Sequence, residues 1–258
     1  MQVTSRHGLQ VNSIESMSVV DGPGMRFVVF AQGCPLRCKF CHNPETWGLH
    51  GGSFVGYDDL LNKLDQCRRF IPQLGLTISG GEPLMQARSC RELLMKAKER
   101  GVHTALDTSG FGDEDEFKSL LPFVDVLLYD IKAVDSELHI DMTGLSNTQI
   151  LKNLETASAH GKKLWIRRIL VPNVNDSPEE AANLGSLIRD CARYGNIERV
   201  DVNPYHRMGL EKWERLGVVC PYSHVKPPTQ AAVESFRGMV TAEAGLRRFD
   251  TAQRARVS

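Results

Sequence analysis

Three cysteines, Cys34, Cys38 and Cys41, stand close together near the amino end of the chain. Thiolates are soft ligands that select iron–sulfur clusters, zinc or copper(I). A 4Fe–4S cluster usually takes four cysteines, so a set of three would leave one iron open for another ligand. An open position of this kind distinguishes catalytic from structural zinc sites as well. Arg37 and Lys39, between the cysteines, would offset the negative charge of a thiolate-bound cluster.

A zinc site made by the three cysteines and His42 is the main alternative. Structural zinc sites usually show paired cysteine knuckles at two places, and this chain has such a group at one place. Three ordinary core cysteines are disfavoured in a loop that carries proline and arginine. Among the other cysteines, Cys67, Cys90 and Cys191 lie in apolar helical stripes and are predicted to be small buried hydrophobes. The sequence suggests no role for Cys220.

Composition narrows the class of protein. The 258 residues include 31 Lys and Arg against 31 Asp and Glu, a formal net charge of zero, so a nucleic-acid partner is not expected. No apolar run approaches the ~18 residues of a membrane span, and residues 1–16 show no signal-peptide core. The seven cysteines are an odd number, which argues against a disulfide framework. We expect a cytoplasmic protein without a membrane partner.

The elements that must position these residues alternate between strand-like and helix-like patterns. Strands are predicted over 26–32, 76–79, 103–108, 124–132, 163–172 and 199–206, and helices over 57–71, 88–100, 114–121, 148–160, 178–194 and 229–244. This alternation predicts right-handed βαβ units and a parallel sheet. Six units are too few for a closed eight-fold barrel, so a six-stranded partial barrel and an open doubly wound sheet both fit. We expect a single domain over 1–258, with a core at about 20–210 and a frayed tail at 251–258.

Residues with unusual chemistry collect where the predicted strands end. In chain order they are the cysteine loop, then Gly80, Gly81 and Glu82, then Asp107 and Thr108, then Asp130 and Lys132, and finally His206, while Arg167 lies within the strand predicted over 163–172. Ligands of parallel α/β folds bind at this edge of the sheet. Glycines let a backbone approach a ligand closely, although Gly-Gly-Glu-Pro is equally typical of a tight turn. Asp107 and Asp130 could attract a cation, but strand-end capping is the favoured interpretation from the sequence alone.

The cysteine spacing, with Phe40 directly before the last cysteine, resembles the signature of the radical S-adenosylmethionine (SAM) superfamily. Within it, further segments resemble the activating enzymes of pyruvate formate-lyase, in the same order and over about residues 10–245. These include 21–26 (DGPGMR), 41–44 (CHNP), 79–83 (SGGEP), 107–110 (DTSG), 130–132 (DIK), 204–206 (PYH) and 225–228 (VKPP). The cysteine-rich insert of many other glycyl-radical activating enzymes is missing after His42, which favours this type.

The resemblance implies a partial (β/α)6 TIM-like barrel with a parallel sheet, and an oxidoreductase. In such enzymes a reduced 4Fe–4S cluster donates one electron to SAM, and the adenosyl radical released removes hydrogen from a glycine Cα of pyruvate formate-lyase. The cofactor supplies the hard chemistry, so no protein acid or base is required. The resemblance also implies anaerobic fermentative metabolism, flavodoxin or ferredoxin as electron donor, and a monomer.

The resemblance also assigns site residues. Cys34, Cys38 and Cys41 would hold the cluster. The expected SAM-binding residues are Phe40, His42, Gly80, Gly81, Glu82, Asp130, Ile131, Lys132 and His206. A monovalent cation, Na+ or K+, would be held by Asp107, Thr108, the Leu128 carbonyl and Asp130. Asp21, Gly22, Gly24 and Arg167 would face the protein substrate or line the site.

Three other functions stay open at this point. The chain could activate a different glycyl-radical enzyme, bind zinc as an interaction domain, or act as a plain electron carrier. Metal analysis separates zinc from iron, and an electron carrier would have an EPR signal that SAM does not change.

Overall fold

A computed structural model describes residues 7–194 and 196–246. Its strands are β1 (Gly8–Ser18), β2 (Arg26–Ala31), β3 (Ser53–Gly56), β4 (Gly75–Gly80), β5 (Thr104–Thr108), β6 (Val126–Asp130), β7 (Lys163–Leu170) and β8 (Ile197–Pro204). Its α-helices are α1 (Tyr57–Arg68), α2 (Ala87–Glu99), α3 (Glu114–Leu120), α4 (Ser136–Thr143), α5 (Thr148–Ala159), α6 (Pro178–Ala192), α7 (Leu210–Arg215) and α8 (Gln230–Glu243). No helix in these ranges is long and apolar enough to cross a bilayer.

The strands form one open sheet in the order β3-β1-β2-β4-β5-β6-β7-β8. From β2 to β8 each neighbouring pair is parallel, and β1 pairs antiparallel with both β2 and β3. The parallel strands follow chain order without a reversal, whereas a doubly wound sheet changes direction at a switch point. Right-handed crossovers that always advance in one direction place their helices on one face. The predicted partial barrel is therefore confirmed, and the alternative of a doubly wound sheet is not.

One face of the sheet packs against the helices and the other lines a cavity, as β7 illustrates. Successive strand side chains point to opposite faces. Leu164 and Ile166 point outward and pack with helix residues such as Leu184 of α6 in the main apolar core. Arg167 and Ile169 point inward and line a cavity. Because the core between sheet and helices stabilises the fold, the inner face is free to carry polar chemistry.

All six predicted strands and all six predicted helices are present, with ends that differ by a few residues. The helix expected over 57–71 ends at Arg68, and the one expected over 178–194 ends at Ala192. Four elements were not predicted: β1, β3, α4 and α7. The predicted tail at 251–258 lies outside the described residues.

Candidate active site

A cavity of about 270 Å³ opens on the inner face of the sheet. Most of the predicted site residues line it: Asp21, Cys34, Cys38, Phe40, Cys41, His42, Gly80, Gly81, Asp107, Thr108, Asp130, Lys132 and Arg167. The other predicted residues, Gly22, Gly24, Glu82, Leu128, Ile131 and His206, are outside this lining. The chain thus brings the thiols and the strand-end charges to one place.

Two unpredicted helices hold the cysteine loop that follows β2. The last carbonyls of α4 accept hydrogen bonds from the loop, from Arg37 N to Thr143 O at 2.7 Å and from Lys39 N to Met142 O at 2.9 Å. On the other side, Trp213 of α7 donates its indole N–H to the Cys41 carbonyl at 2.8 Å. These bonds fix the loop backbone and satisfy carbonyls that a helix end leaves without intrahelical partners.

Cys220 also has a structural place beside the loop. Its buried thiol lies 3.4 Å from the carbonyl oxygen of Lys39, to which it donates a hydrogen bond. The residue therefore packs against the cysteine loop from behind.

The three thiols of the loop are free and face the same cavity. Burial raises the pKa of each, that of Cys41 to about 12, and for Cys34 and Cys41 neighbouring thiolate charge adds to the effect. Three thiolates could therefore coexist here only beside compensating positive charge, which a metal centre provides. This donor set fits a thiolate-ligated cluster.

A single zinc ion would need ligands that surround it tetrahedrally. Among residues 7–194 and 196–246, no group of three or more His, Cys, Asp and Glu side chains is arranged to hold one metal ion. Ligands of one ion must converge on a single point, whereas ligands of a cubic cluster reach different irons. The His42 Nε2 atom lies 3.3 Å from the His206 carbonyl oxygen.

Glycine is required where the second loop meets the cysteine loop. Gly80 has φ +118°, a left-handed conformation that side chains rarely adopt, and a Cβ on Gly81 would lie 2.3 Å from the Gly33 carbonyl oxygen. That carbonyl also accepts a hydrogen bond from Glu82 N at 2.9 Å. The close approach exposes the backbone at Gly80 and Gly81 to the cavity.

Glu82 itself points away from the cavity into a buried hydrogen-bond network. One carboxylate oxygen accepts from the Thr108 hydroxyl at 2.5 Å and from Leu84 N at 3.0 Å. The other accepts from Ser109 N at 2.9 Å and from its hydroxyl at 2.5 Å. The carboxylate therefore ties the loop after β4 to the loop after β5.

Four charged side chains meet where β5 and β6 end, beside the middle of β7. Arg167 contacts Asp107 and donates from Nε to Asp130 at 2.9 Å, and Lys132 lies 2.8 Å from the other oxygen of Asp130. Burial alone would raise the pKa of Asp130, but Arg167 and Lys132 outweigh it and hold that pKa well below its usual range. For Asp107 burial prevails over Arg167, and the pKa is raised. The two acidic and two basic side chains are thus equal in number. The Arg167 guanidinium lies between Asp107 and Asp130, the two carboxylates predicted to bind a cation.

Phe40 and His42 line the cavity near the cysteines, and His206 lies beside His42 outside the lining. The rings of His42 and His206 stack with centroids 4.1 Å apart. Burial, and then the nearby His206, lower the pKa of His42 to about 4, so its imidazole is neutral at pH 7. The Lys132 ammonium lies 5.8 Å from the centre of the Phe40 ring.

Asp21 reaches the cavity from the opposite direction. Its loop precedes β2, at the amino end of that strand, whereas most of the other predicted residues that line the cavity follow or end strands. Gly22 and Gly24 have φ of +134° and +69°, which shape the loop without lining the cavity. The cavity therefore extends along the inner face between both ends of the sheet.

Comparison with known proteins agrees with this geometry. The family model described as the radical SAM superfamily matches residues 28–185. The chain belongs to the radical SAM superfamily. Radical SAM enzymes use a 4Fe–4S cluster and SAM, which accounts for a cavity with thiols beside a charged polar wall.

Relatives within the superfamily share most of the chain. The pyruvate formate-lyase-activating enzyme of Staphylococcus epidermidis is 39% identical over 237 residues, covering 88% of this chain and 93% of the relative. The pyruvate formate-lyase 1-activating enzyme of Escherichia coli K12 is 37% identical over 235 residues, covering 90% of this chain and 94% of the relative.

Solved structures share the radical SAM fold. A domain of pyruvate-formate lyase-activating enzyme from Bacteroides vulgatus has a TM-score of 0.56 at 22% identity, covering 67% of this chain and 96% of that chain. A radical SAM methyltransferase from Sphaerobacter thermophilus has a TM-score of 0.63 at 18% identity, covering 86% of this chain and 64% of that chain.

Several residues of this radical SAM cavity were missed by the sequence reasoning. Asn43, Ser79 and Ser109 stand in the segments that carry the resemblance but were not assigned to the site, and neither were Phe30, Leu36, Thr46 and Ile169. Ser79 could have been predicted from the sequence, because it directly precedes Gly80 at a strand end. In the structure its hydroxyl donates to the Asp107 carboxylate at 2.8 Å. The apolar members carry no signal, because an inward Phe or Ile cannot be distinguished from a core residue by type.

Proposed function

We propose that this radical SAM enzyme activates pyruvate formate-lyase by forming a glycyl radical on it. The observation that carries the proposal is the 37–39% identity, over nearly the whole chain, to relatives that bear that activity in their names. The cavity supports it, because thiols and a polar charged wall lie together there. When bound, the cluster would supply the electron that cleaves SAM, and the adenosyl group would then take hydrogen from the glycine Cα.

Cys34, Cys38 and Cys41 are the proposed cluster ligands. The α4 carbonyls and the Trp213 indole hold the loop backbone in place before metal binds. Preorganised ligands lose less conformational freedom when the cluster assembles.

SAM is proposed to lie across the rest of the cavity. The exposed backbone of Gly80 and Gly81 is suited to accept from an ammonium group, and Lys132 and Arg167 are suited to a carboxylate. Phe40 and His42 would face the adenosine side, with His206 supporting His42 through the stacked rings. Glu82 and Ile131 are proposed to act on SAM indirectly, because neither lines the cavity. Glu82 would hold the loops after β4 and β5 through its hydrogen bonds. Ile131 would hold β7 through its N–H, which donates to the Arg167 carbonyl at 2.9 Å.

A monovalent cation is proposed at Asp107, Thr108, the Leu128 carbonyl and Asp130. The two carboxylates support it, since Na+ and K+ prefer oxygen ligands. Arg167 already contacts both carboxylates, so a bound cation would compete with its guanidinium.

The protein substrate is proposed to enter on the side of Asp21, Gly22 and Gly24, with Arg167 deeper in the cavity. A glycine suits the reaction because it has no side chain to obstruct close approach to its Cα. We further propose flavodoxin or ferredoxin as the electron donor, and a monomer in the cytoplasm.

The test is an anaerobic mixture of the reconstituted enzyme, SAM, reductant and pyruvate formate-lyase, followed by EPR. The expected result is a doublet from a carbon radical on the lyase, which is lost when the target glycine is replaced by alanine. SAM cleavage without this doublet, but with a radical on another glycyl-radical enzyme, would assign the chain to that enzyme instead.

A further inference from the structure

A buried arginine lies under the Asp21 loop. Arg26 is 1% exposed. In the described part of the chain, its hydrogen bonds all go to neutral acceptors: Thr77 Oγ1 at 2.8 Å, Pro23 O at 3.4 Å, His103 Nδ1 at 3.1 Å, His103 O at 3.3 Å and Leu76 O. The five N–H groups of the guanidinium are thus all used. This arrangement fixes the guanidinium in one orientation.

Arg26 in turn orients the hydroxyl of Thr77. A hydroxyl has one hydrogen to donate, and here its oxygen accepts from Arg26 Nε. The hydrogen is therefore free to point at the carbonyl oxygen of Asp21, 2.7 Å away. Thr77 is fully buried and does not line the cavity.

Two glycines make room for this arrangement. A Cβ on Gly75 would lie 1.8 Å from Arg26 Nη1, so the guanidinium occupies the space that a side chain would need. A Cβ on Gly22 would lie 3.2 Å from Arg26 Nε, on a residue whose φ is +134°. A side chain at Gly75 would therefore collide with the Arg26 guanidinium, and one at Gly22 would crowd it.

The bonds converge on Asp21. Its backbone carbonyl is bound by Thr77, its carboxylate is bound by the Ser18 hydroxyl, and the carbonyl of Pro23 is bound by Arg26. Asp21 is therefore held from its backbone and its side chain at the point where the loop reaches the cavity.

We propose that Thr77, oriented by Arg26, is a positioning residue that fixes Asp21 for an extended peptide segment of the protein substrate. It sets how tightly that segment binds and has no part in SAM binding or cleavage. The inference rests on the proposed function, and it adds a residue that lies outside the cavity.

The test compares Thr77→Val, which removes the hydroxyl at nearly constant shape, with Thr77→Ser, which keeps it. SAM cleavage without protein substrate should match wild type in both variants. The KM for pyruvate formate-lyase should rise about tenfold in Thr77→Val, as loss of one buried hydrogen bond predicts, and stay near wild type in Thr77→Ser. Hydrogen exchange of the amides in residues 19–24 should speed up in Thr77→Val alone.

Other results would overturn the proposal. An unchanged KM in Thr77→Val, an equal KM increase in Thr77→Ser, or an equal loss of SAM cleavage would each show that Thr77 does not position the loop for substrate. If Thr77→Val does not fold, Thr77→Ala is compared with Thr77→Ser in the same assays. Wild-type enzyme that cleaves SAM but leaves pyruvate formate-lyase without a radical would overturn the proposed function, while the exchange comparison still tests the link between Thr77 and the loop.

Discussion

Arg167 contacts the half-buried carboxylates of Asp107 and Asp130, and it is the cation that links them. We expect Arg167→Met to destabilise the protein by about 1.5–3 kcal/mol, because Asp107 loses its cationic partner while Asp130 keeps Lys132. Urea unfolding of the metal-free protein measures this. The matched control is Arg189→Met, which breaks an exposed pair with Glu243 and should cost less than about 1 kcal/mol. Equal losses in the two variants would contradict the account.

His103 should make stability depend on pH. Its Nδ1 accepts from Arg26, which only the neutral ring can do, and burial followed by the charge of Arg26 lowers its pKa below the usual 6.5. Because the folded pKa is the lower one, this contribution is complete above about pH 6.5 and is lost as the pH falls through the folded value.

The measurement is the thermal midpoint of the metal-free protein at about pH 7.5 and about pH 5.5. The midpoint of wild type should fall more than that of His103→Gln, whose amide oxygen accepts a hydrogen bond at both pH values. Parallel losses would show that His103 is not responsible.

Single residues were predictable where their type and spacing are rare. The three closely spaced cysteines indicate a metal site by their spacing, whereas for acidic residues at strand ends the sequence alone favours capping. The direction of a side chain was not predictable: nothing local indicates that Glu82 points at Thr108 and Ser109 rather than into the cavity. The partners of Arg26 were equally hidden, because Thr77 and His103 are distant in sequence.

Helices α4 and α7 position the cysteine loop, and neither was predicted from the sequence. Helix α7 has six residues, too few for a helical apolar stripe. For α4 the signals were at its ends, where Asp135 caps the N-terminus through its side chain and Gly144 ends the helix with φ +84°. Most of the strands and helices that were predicted have apolar residues that pack into the main core.

Trp213 tests the role of α7. Trp213→Phe removes the donor to the Cys41 carbonyl, so we expect a loss of about 1–3 kcal/mol from the loop and faster release of iron to a chelator. Trp165→Phe is the control, because Trp165 packs in a separate inner-face cluster. Iron release that is equally fast in both variants would contradict an anchoring role for α7.

The fold as a whole should survive loss of the metal. The main apolar core lies between the sheet and its helices, and the cysteines are in a separate, smaller cluster. Unlike a small metal-dependent domain, this chain does not need the metal to complete its core.

We therefore expect metal-free protein to keep the circular dichroism of the loaded form. Hydrogen exchange should increase in the cysteine loop and in the parts of α4 and α7 that contact it, and should change little in β4, β5 and β6. Cooperative unfolding of the sheet on iron removal would show that the core is not independent.

The overall topology could be predicted only in part. Alternating patterns indicate a parallel sheet, but they do not give strand order, which is what separates the partial barrel from the doubly wound sheet. The antiparallel edge of β1 and β3 was also missed, because β1 (GLQVNSIESMS) is largely polar in its second half and β3 has four residues.

The central claim is that Cys34, Cys38 and Cys41 hold an iron–sulfur cluster that is open to SAM. The most direct test is anaerobic reconstitution of wild type, Cys38→Ser and the control Cys67→Ser, with iron and sulfide analysis, EPR with and without SAM, and the rate of SAM cleavage. Wild type and Cys67→Ser should bind the cluster, change their EPR signal with SAM and cleave it, whereas Cys38→Ser should not cleave it. SAM cleavage by Cys38→Ser at the wild-type rate would contradict the claim.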